Sequence, residues 1–371
     1  MLPVRLSRPG LQLRGFAGAR RAELTAVAQP LPGEVPEDVV ERMHAALAPY
    51  AVTVVKVDVF GALEQPTALR AALSARFGPV PATWVAGEGC GASGLAGVTV
   101  LAVAGDPVQP VPMNGRVVGL QSCDGECQWL WLGDLHPDRG PQAPADQAAQ
   151  VFDKLAAAID AAAMPAASLT RTWFYFQDLL SWYGDFNAAR TRCFGERGWL
   201  PLLPASTGID AANPHGGALV ASAVAVAPVT GTATVQAVES PLQGPATAYG
   251  SSFSRAVEVQ SAGLRRLWIS GTASIDPSGA TAHLGDLDSQ ISLTFRVVLA
   301  LLQARALRWD DVTRAVAYVN RSDHAAPLQA WLERQGLDLP LVICRAGICR
   351  ADLLFEIELD AAAPIRPPPL A

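Results

Sequence analysis

Residues 147–176 read QAAQVFDKLAAAIDAAAMPAASLTRTWFYF, and residues 290–319 read QISLTFRVVLALLQARALRWDDVTRAVAYV. At a constant offset of 143 residues Gln147 matches Gln290, Phe152 matches Phe295, Thr170 and Arg171 match Thr313 and Arg314, and Tyr175 matches Tyr318. This is an internal duplication. Each copy opens with apolar residues at helical spacing, Val151, Leu155 and Ile159 in the first and Ile291, Phe295, Val298 and Leu302 in the second. A turn and an aromatic or β-branched run follow, which reads as helix, turn, strand. A second amphipathic stretch (Trp182 to Phe194; Leu328 to Leu337) and a closing apolar strand (Ala218 to Ala227; Leu353 to Leu359) complete each copy. Hairpin-like runs precede them, Val111 to Leu120 with Gln128 to Leu132, and Arg266 to Ile275 before the turn at Asp276 to Gly279. The expected class is α+β, with helices packed on one face of a mixed sheet.

Working outward, Pro, Gly, Thr and Ser cluster between Ala227 and Gly244, so the chain is expected to divide near residue 230 into a domain of residues 1–230 and one of 231–371. The first 24 residues are Arg-rich without an apolar secretion segment, and a leading strand is expected there. Half of the residues are hydrophobic and 17% are charged, enough apolar content to offset chain entropy. A net charge of −6 and a pI near 5.4 argue against a nucleic-acid partner. The Ala-rich runs fall short of the ~18 to 20 strongly apolar residues that cross a bilayer. Cys90, Cys123, Cys127, Cys193, Cys344 and Cys349 follow no disulfide or zinc rhythm, and a reduced, cytoplasmic protein is expected. The five histidines (His44, His136, His215, His283, His324) stand apart in sequence, and neither phosphate-loop nor dinucleotide spacing occurs. Neither metal nor cofactor is therefore expected.

In the last strand, alternation puts Leu353, Phe355, Ile357 and Leu359 on one face and Glu356 and Glu358 on the other. If that second face meets water, both glutamates are surface charges. If another unit covers it, a glutamate loses hydration, its pKa rises, and it becomes a proton donor near neutral pH. Tyr249-Gly-Ser-Ser-Phe-Ser-Arg255 gathers hydroxyls and an arginine beside a flexible glycine, as a ligand segment or an exposed turn would. Arg171 starts an apolar strand, so it requires either an anionic ligand or an acidic side chain. Pro204 to Ile209, with Gly208, and Ser270 to Ser274, with Thr272, offer N–H groups and hydroxyls that can cradle a carboxylate.

Together the strings Arg171 to Asn187 (RTWFYFQDLLSWYGDFN), Pro204 to Ile209, Tyr249 to Arg255, Ser270 to Ser274 and Cys349 to Glu356 resemble those of the chorismatases, 3-hydroxybenzoate synthases among them. The resemblance runs from about residue 140 to 365 and is much weaker in the first 100 residues. It implies a chain of two units similar to the small YjgF/RidA proteins, with the site in the second unit at its contact with the first. It implies chorismate as substrate, Glu356 as the acid, Arg171, Tyr249 and Arg255 as substrate contacts, and Cys349 as a wall of the pocket; Glu358, one pleat on, is the second choice of acid. A cysteine at position 349 resembles the branch that releases 3-hydroxybenzoate, sometimes with 4-hydroxybenzoate, whereas hydrolytic members carry a smaller residue and release a diene diol. A RidA-like imine deaminase or a ligand-binding module remains the alternative on the same fold, and oligomeric state stays open.

Overall fold

The computed structural model describes residues 1–61, 63, 66–89, 94–105, 107–138, 140 and 142–365; Cys90 lies outside them. Among these residues the α+β class holds, with three mixed sheets rather than two. The first runs, in spatial order, Leu2–Arg8, Leu11–Ala17, Ala22–Ala28, Leu95–Ala104, Thr53–Gly61, Ala82–Val85. The second runs Ala205–Asp210, Leu169–Phe176, Leu219–Pro228, Cys127–Leu135, Arg116–Cys123, Gln109–Met113. The third runs Thr234–Val238, Ala256–Ser261, Leu264–Ala273, Phe355–Pro364, Val312–Val319, Leu341–Arg345, and ends on Glu88–Gly89, a short strand lent by the first unit. The first hundred residues are thus a further copy of the repeated plan, and the leading strand is one arm of a hairpin.

The copies share one topology: antiparallel strands, a helix, a strand, a second helix, a parallel strand, and a closing strand inserted antiparallel in the middle. The helices Pro144–Ala161 and Leu179–Glu196 cover one face of the second sheet, burying Phe152, Phe174, Phe176 and Phe186. Leu287–Ala304 and Ala325–Gln335 do the same for the third, and Pro36–Leu47 and Pro66–Phe77 for the first. The faces without helices turn toward one another, and Phe60, Trp129, Trp131, Trp173, Tyr175, Trp268 and Tyr318 fill the space between them. This arrangement decides the fate of the polar face of the last strand. It is covered by the other units instead of by water. None of the described helices is long and apolar enough to cross a membrane.

Sheet register aligns the copies residue by residue. A bulge precedes a cation in each: Lys56 opposite Leu101, Arg171 opposite Val224, Arg314 opposite Asp360. Four residues later stand Phe60 opposite Gly97, Tyr175 opposite Val220, and Tyr318 opposite Glu356.

Candidate active site

The edge strand Ala205–Asp210 of the second sheet is sewn to the third unit by backbone. Asp210 and Gly347 exchange two N–H···O bonds of 3.0 Å, the Ser254 N–H donates to the Pro204 carbonyl at 2.9 Å, and Ser270 Oγ accepts from the Ser206 N–H at 2.9 Å. Glu356 projects into this seam from Phe355–Pro364, and only 4% of its surface reaches solvent. Gly271, in a bulge of the adjacent strand, leaves room for it: a Cβ there would collide with Glu356 Oε1 and press on the Thr207 methyl at 3.4 Å.

The two glutamates of the strand are in opposite states. Burial and the neighbouring Glu358 charge push Glu356 up to about 8, against a partial pull downward from Arg171 and Arg255. Among the described residues no hydrogen bond reaches its carboxylate. Burial also raises Glu358, but Arg314, Arg171 and the Thr207 hydroxyl outweigh it and hold that carboxyl below the usual range. Arg171 Nη2 donates to Glu358 Oε2 at 2.6 Å, Arg314 Nη2 to Oε1 at 2.8 Å, and Thr207 Oγ1 to Oε2 at 2.5 Å. Glu358 is a fixed anion and Glu356 a neutral acid near pH 7. Environments that push two carboxyls apart in this way suit one to donate a proton and the other to remain charged.

Arg171 meets the acidic side chain that its position demanded, yet Glu358 and Thr207 occupy only Nη2. Among the described residues its Nε and Nη1 are buried without a hydrogen-bond partner, and its guanidinium lies 4.4 Å from the Trp173 ring centre. Tyr249 and Arg255 stand together, the guanidinium 5.5 Å from the ring, and Arg255 donates twice to the Gly244 carbonyl at 2.9 and 3.0 Å. Cys349 is half-buried, and burial, aided by Glu356, pushes its thiol up to about 12, so it stays protonated. The cradle residues are used internally: the Thr272 hydroxyl donates to the Ser270 carbonyl at 2.8 Å, and Gly208 lies against Phe176.

Sequence reasoning missed the wall supplied by helix Leu179–Glu196. Burial raises the Tyr183 hydroxyl, and the charges of Cys349, Arg190, Glu356 and Tyr249 act on it, which places this tyrosine in the neighbourhood of the seam. Arg190 is buried, with its guanidinium 5.2 Å from Phe186 and 5.6 Å from Phe253, and its Nε has no hydrogen-bond partner among the described residues. It had left a signal: Arg190 falls on the same helical stripe as Phe186, Ala189 and Cys193, where a cation is out of place. Arg350, 5.6 Å from the Tyr249 ring, closes the group. Behind Arg255 a cavity of about 290 Å³ opens, lined by Leu203, Gln243, Thr247 and Phe253 among others.

A crystal structure of a chorismatase matches this architecture with a TM-score of 0.63, at 22% identity, over 83% of this chain and 93% of the other. The fold is the same. Single-unit proteins match about a third of the chain: an L-PSP endoribonuclease-like protein from Entamoeba histolytica (TM-score 0.30, 18% identity, 35% of this chain and 100% of its own) and yeast Mmf1 (TM-score 0.29, 16%, 34% and 98%). No family model matches the sequence, and no curated protein does.

Proposed function

We propose that this chain cleaves chorismate, with Glu356 as the acid that starts the loss of the enolpyruvyl group. The observation that carries the reading is the pairing of a buried carboxyl held near 8 with buried guanidinium N–H groups that have no partner among the described residues. Chorismate carries two carboxylates, and planar guanidinium donors bind such groups bidentately. Arg171, Arg190 and Arg255 around one seam suit a dianion in an otherwise acidic protein. The fold shared with a chorismatase adds support.

Proton transfer from Glu356 to the terminal methylene carbon of the enol ether makes an oxocarbenium ion and leaves a carboxylate. The ether C–O bond then breaks and pyruvate departs. When the bond broken is the one to ring C3, pyruvate takes the ether oxygen. The C4 hydroxyl oxygen closes on C3, the C4–O bond opens and the C3 proton is lost, which gives 3-hydroxybenzoate, whereas direct loss of the C4 proton gives 4-hydroxybenzoate. No water is consumed in either case, and the proton released returns to Glu356. If water enters instead, the co-product is a dihydroxycyclohexadiene carboxylate. We favour aromatisation because the half-buried Cys349 thiol fills space beside Glu356 that a water would need. The test is incubation of the purified chain with chorismate, without nucleotide, and identification of products by chromatography with mass detection. Pyruvate with 3-hydroxybenzoate is expected; pyruvate with the diene diol moves the chain to the hydrolytic branch. Unconsumed chorismate would sink the proposal and favour the imine deaminase or binding module.

A further inference from the structure

We propose that Asp134, His136 and His215 form a binding site for a zinc-type divalent cation on the second unit, separate from the seam that holds Glu356. The three residues bring one ligand atom each to within 4.8 Å of one another. The histidines stand apart in sequence, and the fold joins them. The register of Cys127–Leu135 slips between Leu132 and Leu135, and Asp134 there adopts a left-handed backbone (φ +53°), which a non-glycine residue takes at a cost. Its N–H is held by Thr83 Oγ1 at 3.0 Å. His215 comes from the turn after the edge strand, where its N–H donates to Asn213 Oδ1 at 3.1 Å and Asn213 Nδ2 ties back to the Gly217 carbonyl at 2.8 Å. Both segments are fixed by bonds that do not use the ligand atoms.

The hydrogen bonds also reveal which lone pairs are available. Arg116 Nη1 lies 2.6 Å from His136 Nε2. A guanidinium only donates, so Nε2 carries the lone pair and the proton is on Nδ1, which donates to the Pro137 carbonyl at 3.0 Å. A backbone acceptor on the far ring nitrogen is the arrangement that orients metal-binding imidazoles. The two rings lie 3.6 Å apart, nearly parallel, and His215 Nε2 faces Asp134 Oδ1 at 2.6 Å. Arg116 Nη2 reaches the Asp134 carbonyl at 2.6 Å and its Oδ2 at 3.4 Å. One cation already sits on the donors of Asp134 and His136, and its side chain is 41% exposed, so it can swing out. With Arg116 displaced and the two rings splayed from their stack, two imidazoles and a carboxylate face one point, and solvent supplies a fourth ligand. Two imidazoles, a carboxylate and a water suit Zn²⁺. The ion would clamp the end of a strand to a turn 79 residues away in sequence.

The test uses the full chain, stripped with a chelator and titrated with ZnCl₂ by calorimetry, and with Co²⁺ read by visible absorption. A single equivalent with a rise in Tm is expected, lost in both His215→Ala and His136→Gln when those variants melt like the metal-free wild type. Arg116→Ala, which removes the competing guanidinium, is expected to bind more tightly than wild type. Absence of zinc uptake, equal uptake by the histidine variants, weaker binding by Arg116→Ala, or a cobalt–thiolate charge-transfer band would each overturn the site. Turnover of chorismate plays no part in any of these readings.

Discussion

Opposite Tyr318 in the third sheet stands Glu356; at the matching place Val220 faces Tyr175 in the second, and Gly97 faces Phe60 in the first. Two residues on, the third copy has Glu358 where the others have Ser222 and Thr99. The cations after the bulge differ less: Lys56, Arg171 and Arg314. All three copies therefore contribute positive charge to the centre, while the two glutamates belong to one. A symmetrical trimer of identical units would have to repeat every group. A fused chain with three divergent copies places the acid of one beside the spare cation of another, and Arg171 is that cation: it belongs to the second copy and pairs with an anion of the third. The difference that the proposed site rests on is therefore a single position, acidic in the third copy and apolar in the others, set beside a cation of the neighbouring copy.

The strongest way to break this comparison is Glu356→Gln, which keeps the shape of the side chain and removes the proton. A fall in kcat of at least ~100-fold with little change in Tm is expected, the scale of a general acid; near-normal turnover would return Glu356 to the status of Val220. Arg171→Ala comes next. It leaves Glu358 with Arg314 alone, so a loss of stability of about 3–5 kcal/mol is expected for a broken buried pair. Chorismate capture should weaken by about tenfold or more in kcat/KM if the free N–H groups hold a carboxylate. A destabilised variant with unchanged kcat/KM at low temperature would make Arg171 purely structural.

The sequence made the second and third copies legible because their helices have equal length, which keeps the offset constant from Gln147 to Tyr175. The first copy escaped because its helix Pro36–Leu47 is shorter and lysine and phenylalanine replace arginine and tyrosine at the matched places. Its likeness to the others is topological. Alternation in the last strand separated the glutamates from the apolar face, but nothing local distinguishes Glu356 from Glu358. Their difference comes from Arg171, Thr207 and Arg314, which are remote in sequence. For the same reason Tyr183 and Arg190 were missed, and His136 and His215 looked solitary.

The pH response sharpens the contrast between the two carboxyls. With Glu356 near 8, kcat should be flat below that pH and fall about tenfold per unit above it, as the acid loses its proton. The effect on stability has a definite sign. The folded pKa is raised above the unfolded value of 4.5, so the folded state holds a proton that the unfolded state releases, and stability declines as pH rises from about 4.5 to about 8. Glu358, held low, contributes in the opposite sense, its stabilisation being lost only as acid protonates it. Urea melts of wild type and Glu356→Gln at about pH 5 and about pH 8 should diverge, the variant losing less. Parallel losses would mean that Glu356 is ionised in the fold.

The smallest effect is expected from Cys349→Ala. A thiol pushed up to about 12 is neither a nucleophile nor a charge at working pH, so whatever it does it does by volume. Its thiol is close enough to both Tyr183 and Glu356 for their charges to act on one another, and under the proposed reaction the oxocarbenium ion forms beside Glu356. Trimming it to alanine opens part of the space of one water, about 30 Å³. Protonation by Glu356 precedes the point at which products part, so pyruvate release should stay within about threefold of wild type, well below the loss for a missing general acid. The ring products should shift from 3-hydroxybenzoate toward the diene diol, read in the same chromatogram. An unchanged ratio would mean that water is kept out by other residues of the seam, with Tyr183 and Phe253 next to be trimmed.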